Sequence, residues 1–131
     1  MTILLTERKV HDIERQAKTA AIADIAAYLQ ENLGQKITAY LSGLKDPKVV
    51  GIWAKGRGEP RTVPAQRLRC AYEAALMLVG AYGSETAKAW FFGTNTRLDD
   101  EAPAYLLRHA ATPEDLHFIL PAARAFAGAA E

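Results

Sequence analysis

Apolar residues recur every three or four positions along most of this chain, which is the spacing of a one-sided helix. No stretch alternates with the period of two that marks a half-buried strand. Over residues 6–32 the stripe is Val10, Ile13, Ala17, Ile22, Ile25, Ala26 and Leu29, a helix with a break near Thr19 and a stop at Gly34. A short helix over 35–41 turns Ile37, Tyr40 and Leu41 inward and ends at Ser42-Gly43. Asp46-Pro47 marks the next start, since Asp caps free amides and proline lacks the N–H that the first turn leaves unpaired. That helix carries Val49, Val50 and Trp53 and ends at Gly56. A polar loop over 56–63 leads to a long helix from Pro64 to about Tyr82, with Leu68, Ala71, Ala75, Leu76 and Val79 on its stripe.

Ser84-Glu85 reads as the cap of a shorter helix that ends near Phe91. Pro103 opens another, through Arg108. Thr112-Pro113-Glu114-Asp115 starts the last, with Leu116, Ile119, Leu120, Ala123 and Phe126 at helical spacing. Pro121 falls inside that pattern and is expected to kink or split it. The reading is all-α, with six to eight helices.

Length and composition narrow the class. At 131 residues, half of them apolar and about a quarter charged, the chain fits one globular domain or two small ones. The division drawn here is 1–70 and 71–131. The single cysteine, Cys70, excludes an intrachain disulfide and a cysteine-based metal site, and reads as a small core filler. The apolar run Ile3-Leu4-Leu5 precedes its charges and is too short for a signal peptide, and no run is long enough to span a bilayer. A cytoplasmic protein that does not engage a membrane is expected.

The net charge of +1 hides a split. Residues 1–70 hold twelve Lys/Arg against seven Asp/Glu, or +5, whereas 71–131 hold four against eight, or −4. The excess concentrates in Lys36, Lys45, Lys48, Lys55, Arg57, Arg61, Arg67 and Arg69. Such a block points to a polyanion contact.

Nothing supports catalysis. His109 and His117 lie eight residues apart, so one helical face does not offer them as a metal pair. Asp99-Asp100-Glu101 reads as a solvated turn before a helix. Phosphate-cradling glycine loops and nucleophile elbows are missing from the sequence. No enzyme activity, metal or cofactor is expected.

Residues 35–56 have the parts of a helix-turn-helix: Ala39 at the crossing, Gly43 and Leu44 in the turn, Val50 and Trp53 on the inner face. The outer face would carry Lys45, Lys48, Gly51, Ile52 and Lys55, with Arg57 and Arg61 in the following loop. Lysines meet phosphates as point charges, and that face has no Asn, Gln or Arg to read a base edge. The stretch resembles the Xre/Cro type, although Gly43 to Val50 is one residue longer than the usual turn.

The densest aromatic run is Trp90-Phe91-Phe92, followed by Asn95-x-x-Leu98 and by Pro103-x-x-Leu106-Leu107. In that order, after an alanine- and leucine-rich helix over 71–79, these residues resemble the toxin-binding domain of the Xre/MbcA/ParS family of antitoxins. The likeness covers roughly residues 71–128. It implies an antitoxin of a type II toxin–antitoxin pair, whose cognate toxin is commonly a RES-domain enzyme that consumes NAD. It further implies that the C-terminal part obstructs the toxin's active-site entrance, that the antitoxin is a homodimer within a hetero-oligomer, and that operator DNA is a possible second partner. By the same resemblance Trp90 and Leu98 order the domain, and Pro103, Leu106 and Leu107 set the next helix. Arg124, Phe126, Gly128 and Glu131 would then reach the toxin. The alternative is a DNA-binding regulator whose C-terminal helices only dimerise, or an adaptor that uses them for another partner.

Overall fold

The computed structural model describes residues 6–128. The described residues form eight α-helices and no extended strand: α1 (Glu7–Thr19), α2 (Ile22–Leu33), α3 (Gln35–Ser42), α4 (Lys48–Ala54), α5 (Thr62–Tyr82), α6 (Ser84–Phe92), α7 (Pro103–His109) and α8 (Ile119–Ala127). Two short 3-10 turns, Thr96–Leu98 and Pro113–Leu116, precede α7 and α8. The fold is all-α.

Helix α5 is the hub. Its buried residues include Leu68, Ala71, Tyr72, Ala74, Ala75, Met77 and Leu78, which point in every direction around the helix axis. A helix apolar on all sides must be covered on all sides. Helices α1, α2, α3, α6, α7 and α8 all pack on it. The boundary expected between residues 70 and 71 falls inside α5, so the parts before and after it share this helix and one core. That core runs from Ile13 and Leu29 through Trp53 and Leu78 to Phe91, Leu107 and Ile119.

The helix ends follow the sequence signals with three exceptions. At Gly43 the backbone is left-handed (φ +86°) and the Leu44 N–H reaches back to the Ala39 carbonyl, so α3 stops where glycine permits it. Asp46 Oδ1 accepts from the Lys48 N–H at 3.0 Å and starts α4. The first exception is the long helix, which begins at Thr62 and carries Pro64 within its first turn. The second is Ser84, whose hydroxyl donates to Asn32 Oδ1 at 3.1 Å and ties α6 to α2 instead of capping α6. The third is the last segment, which is two pieces. Thr112 and Asp115 form a capping box on the 3-10 turn, and α8 starts afresh at Ile119. Pro121 therefore occupies the first turn of α8, where no intrahelical bond needs its missing N–H, and it does not kink the helix.

Three arginines close helix C-termini. Arg67 donates to the Ser42 carbonyl at 2.9 Å and to the Ala110 carbonyl at 2.6 and 3.0 Å. Arg108 donates to the Tyr40 carbonyl at 3.0 Å and lies over the Tyr40 ring at 4.6 Å. Arg69 donates to the carbonyls of Ala17 and Ala20 at the end of α1. Terminal carbonyls have no partner within their own helix and carry its negative dipole end, so a guanidinium satisfies both needs. A Cβ at Gly43 would collide with the Arg67 guanidinium, which fixes the residue at this turn. Replacing Arg67 by alanine leaves two partly buried carbonyls unpaired. Its expected cost is about 2–4 kcal/mol in urea unfolding, because bonds from charged donors are worth ~1.5–3 kcal/mol each.

Candidate functional site

The nucleic-acid candidates lie around α4. Val50 and Trp53 are buried against α2 and α3, which turns the opposite face of α4 outward. Lys45, Lys48, Lys55, Arg57 and Arg61 are all exposed, and none has a carboxylate within salt-bridge distance among the described residues. Lys48, Lys55 and Arg57 meet around a depression of about 300 Å³, with Gly51 and Ile52 in its wall. Lys45 and Arg61 do not line it. Two residues that sequence reasoning passed over, Gln30 and Gln35, complete the lining and bond to each other at 2.7 Å. They come from the end of α2 and the start of α3, brought together by the turn at Gly34 (φ +93°). A Cβ at Gly51 would lie 2.8 Å from the Gln35 amide nitrogen, so the glycine makes room for the pair. Arg67 and Arg69, members of the same basic block, face inward on carbonyls instead.

The residues drawn from the aromatic run are mostly interior. Trp90 and Leu98 are buried, with Trp90 edge-on to Phe91 at 5.2 Å. Pro103 and Leu107 are buried, and Leu106 is half-buried against the core. Phe92 differs: it is 47% exposed and tilts against Tyr40 at 5.8 Å.

The C-terminal candidates separate. Arg124 points to α1 and pairs with Glu14 at 3.2 Å. Both groups are partly exposed, so the pair is worth at most about 1 kcal/mol. Phe126 packs edge-on to Tyr82 at 5.3 Å and remains 40% exposed. Gly128 caps α8, its N–H donating to the Arg124 carbonyl at 2.9 Å. Glu131 lies outside the described residues, as does the Ile3-Leu4-Leu5 run.

Beside Phe126 is a groove of about 510 Å³ between the end of α6, residues 93–97 and α8. Trp90, Asn95, Arg97, Ala122, Ala125 and Phe126 are among its walls. A bridge from Asn95 to Glu101 closes the loop at its rim, and Asp99 and Asp100 turn it in left-handed conformations that Asp tolerates better than most residues.

A further cavity of about 420 Å³ lies between α1, α5 and the second 3-10 turn, lined by Lys18, Arg69, Cys70, Glu73 and His117 among others. Cys70 is buried, and burial, with a smaller push from Glu73, takes its thiol up to about 12, which leaves no reactive thiolate. Glu73 is held above the usual carboxylate range, mainly by burial and next by Glu14, against the opposing pull of Arg124 and Lys18. Among the described residues no three His, Cys, Asp or Glu side chains group to hold a metal, and no helix is long and apolar enough to cross a membrane.

No family model matches this chain, and no curated protein matches it. A solved structure does. It is a chain of the "Crystal structure of the M.tuberculosis MbcT-MbcA toxin-antitoxin complex", with a TM-score of 0.61 over 86% of this chain and 99% of that chain. The fold is that of a chain in a toxin–antitoxin complex. Identity is 19%, so the likeness shown is one of fold.

The raised Glu73 carboxyl has a testable consequence. Folding favours its protonated form, so that contribution is fully present below the ordinary value of 4.5 and is lost as pH rises through the folded-state value. Glu73→Gln should raise Tm at pH 7, and the difference should vanish at about pH 4 in a thermal melt series.

Proposed function

We propose that this protein is the antitoxin of a toxin–antitoxin pair, a non-catalytic, cytoplasmic binding protein that neutralises a co-encoded toxin. The observation that carries the reading is the fold shared with a chain of the MbcT–MbcA complex along nearly the whole of both chains. The order of Trp90, Asn95, Leu98, Pro103, Leu106 and Leu107, which resembles that of the antitoxin family, supports it as well, and Trp90, Leu98, Leu106 and Leu107 lie in or against the core. In this reading the toxin is a RES-domain, NAD-consuming enzyme whose entrance is obstructed by the part of the chain that includes Phe126, Gly128 and Glu131. Arg124 orients α8 through Glu14 and meets the toxin at the edge of the contact. The antitoxin acts as a homodimer within a hetero-oligomer, with residues 71–131 serving the toxin. Expression of the neighbouring reading frame alone should arrest growth, and co-expression of this protein should relieve the arrest. Phe126→Ala should weaken the isolated complex by about tenfold or more, since exposed aromatics are the residues on which interfaces most depend. Growth arrest that this protein leaves unrelieved would sink the reading.

A second reading, compatible with the first, is that residues 1–70 bind operator DNA and repress the operon. The cluster of Lys48, Lys55 and Arg57, which among the described residues has no carboxylate partner, beside Gln30 and Gln35 favours it. Phosphate neutralisation releases counterions, so a double-logarithmic salt plot falls by about 0.9 per contact. Changing Lys48, Lys55 and Arg57 together to glutamine should flatten that slope by roughly 2–3 in a gel-shift titration against the upstream region. An unchanged slope would remove this face from any DNA contact.

A further inference from the structure

We propose that the depression beside α4 reads A·T base pairs in the major groove of duplex DNA, with the Gln35 amide on adenine and the Ile52 side chain against the thymine methyl. The inference rests on the reading that residues 1–70 bind operator DNA, and it names the two side chains that give that binding its sequence preference.

Helix α4 has no base-reading group of its own. Lys48, Ile52 and Lys55, at spacings of four and three, form one stripe opposite the buried Val50 and Trp53. Lysine offers charge but no paired donor and acceptor, so these lysines alone give phosphate contacts without discrimination. The turn at Gly34 supplies the missing group by bringing Gln35 to the same depression. One N–H of the Gln35 amide donates to Gln30 Oε1 at 2.7 Å. Its second N–H and its Oε1 have no hydrogen-bond partner among the described residues. A free donor beside a free acceptor on one amide is the pattern that meets adenine N7 and N6 together. The bond to Gln30, itself half-buried, holds the side chain in place, and Gly51 leaves room for it.

Ile52 is 47% exposed and lines the same depression. An exposed aliphatic side chain beside an amide matches an A·T pair, which shows adenine's acceptor and donor together with the thymine methyl; a G·C pair shows neither. Charge favours DNA at this face. No Asp or Glu lines the depression, whereas Lys48, Lys55 and Arg57 do and suit flanking phosphates. Across residues 30–61 six Lys/Arg, all exposed, stand against three Asp/Glu, and one of those three, Asp46, is bonded to the Lys48 backbone N–H. A helix about 10–12 Å across fits the major groove of B-form DNA, which is about 12 Å wide. The deep, narrow groove of A-form RNA excludes it.

The test uses the full chain and the duplexes it selects from a randomised DNA library. Gln35→Ala should relax the preference at one or more A·T pairs of the selected consensus. It should leave the salt dependence of binding unchanged, since an amide neutralises no phosphate. At the relaxed pair, 7-deazaadenine removes only the N7 acceptor; it should weaken the parent protein by about tenfold and Gln35→Ala hardly at all. Uracil in place of thymine removes only the methyl; it should cost the parent a few-fold and Ile52→Ala nothing. The base analogues act on the unaltered protein, so a poorly folded variant cannot imitate their effect. An unchanged consensus in Gln35→Ala, a parent insensitive to both analogues, or equal losses in parent and variant would each overturn base reading by this pair and leave the operator reading standing. Equal binding to an RNA duplex of the selected sequence would overturn the major-groove assignment. Absence of salt-dependent binding to any duplex would overturn the operator reading and this inference with it, and leave the antitoxin reading standing.

Discussion

The burial of α5 on all sides sets where every other helix can lie. A 21-residue helix whose apolar residues point in all directions cannot rest against a single neighbour. It has to be enclosed, and the chain encloses it with helices that come both before and after it in sequence. Shorter helices such as α4 and α7, at seven residues each, are too short to persist alone in water and take their stability from this packing. The surfaces around α4 and α8 are thus presented by one shared core, and disturbance of the core would reach both.

Charge is used in two distinct ways along one basic stretch. Lys48, Lys55 and Arg57 project from α4 and its following loop, with no carboxylate in salt-bridge distance among the described residues. Arg67 and Arg69, a few residues later, turn inward and close helix ends. Arginine suits the second task because its planar fork makes several bonds at once and is more weakly hydrated than an ammonium group. The same geometry explains how Arg108 can bond the Tyr40 carbonyl while stacking on that residue's ring. Net charge per segment cannot distinguish these uses, since both residue sets count alike.

The aromatic run shows a similar division. Trp90 and Phe91 enter the core while Phe92, the next residue, stands exposed against Tyr40, because successive residues on a helix point about 100° apart. Pro121 is the instructive exception to a local rule. Within the spacing of residues 112–127 it reads as an interruption. The chain instead ends a capped 3-10 turn first and restarts, which places the proline where a helix accepts it.

The sequence by itself determined the helices and most of their ends. Apolar spacing, Gly34, Gly43 and Gly83, and the Asp46 and Thr112 caps act through neighbours within a few residues, so their effect can be read locally. Through the family resemblance it also marked Trp90, Leu98, Pro103, Leu106 and Leu107 as a structural set, and it marked Lys45, Lys48, Lys55, Arg57 and Arg61 as an outward one. Only the tertiary structure decided which residues share a surface. It joined Gln30 and Gln35 to α4, paired Arg124 with Glu14 across 110 positions, and brought Arg97 and Phe126 to the lining of one groove. The reason is physical: a helix's own pattern records which of its faces is apolar, but which neighbour covers that face depends on how all the helices share the enclosure of α5.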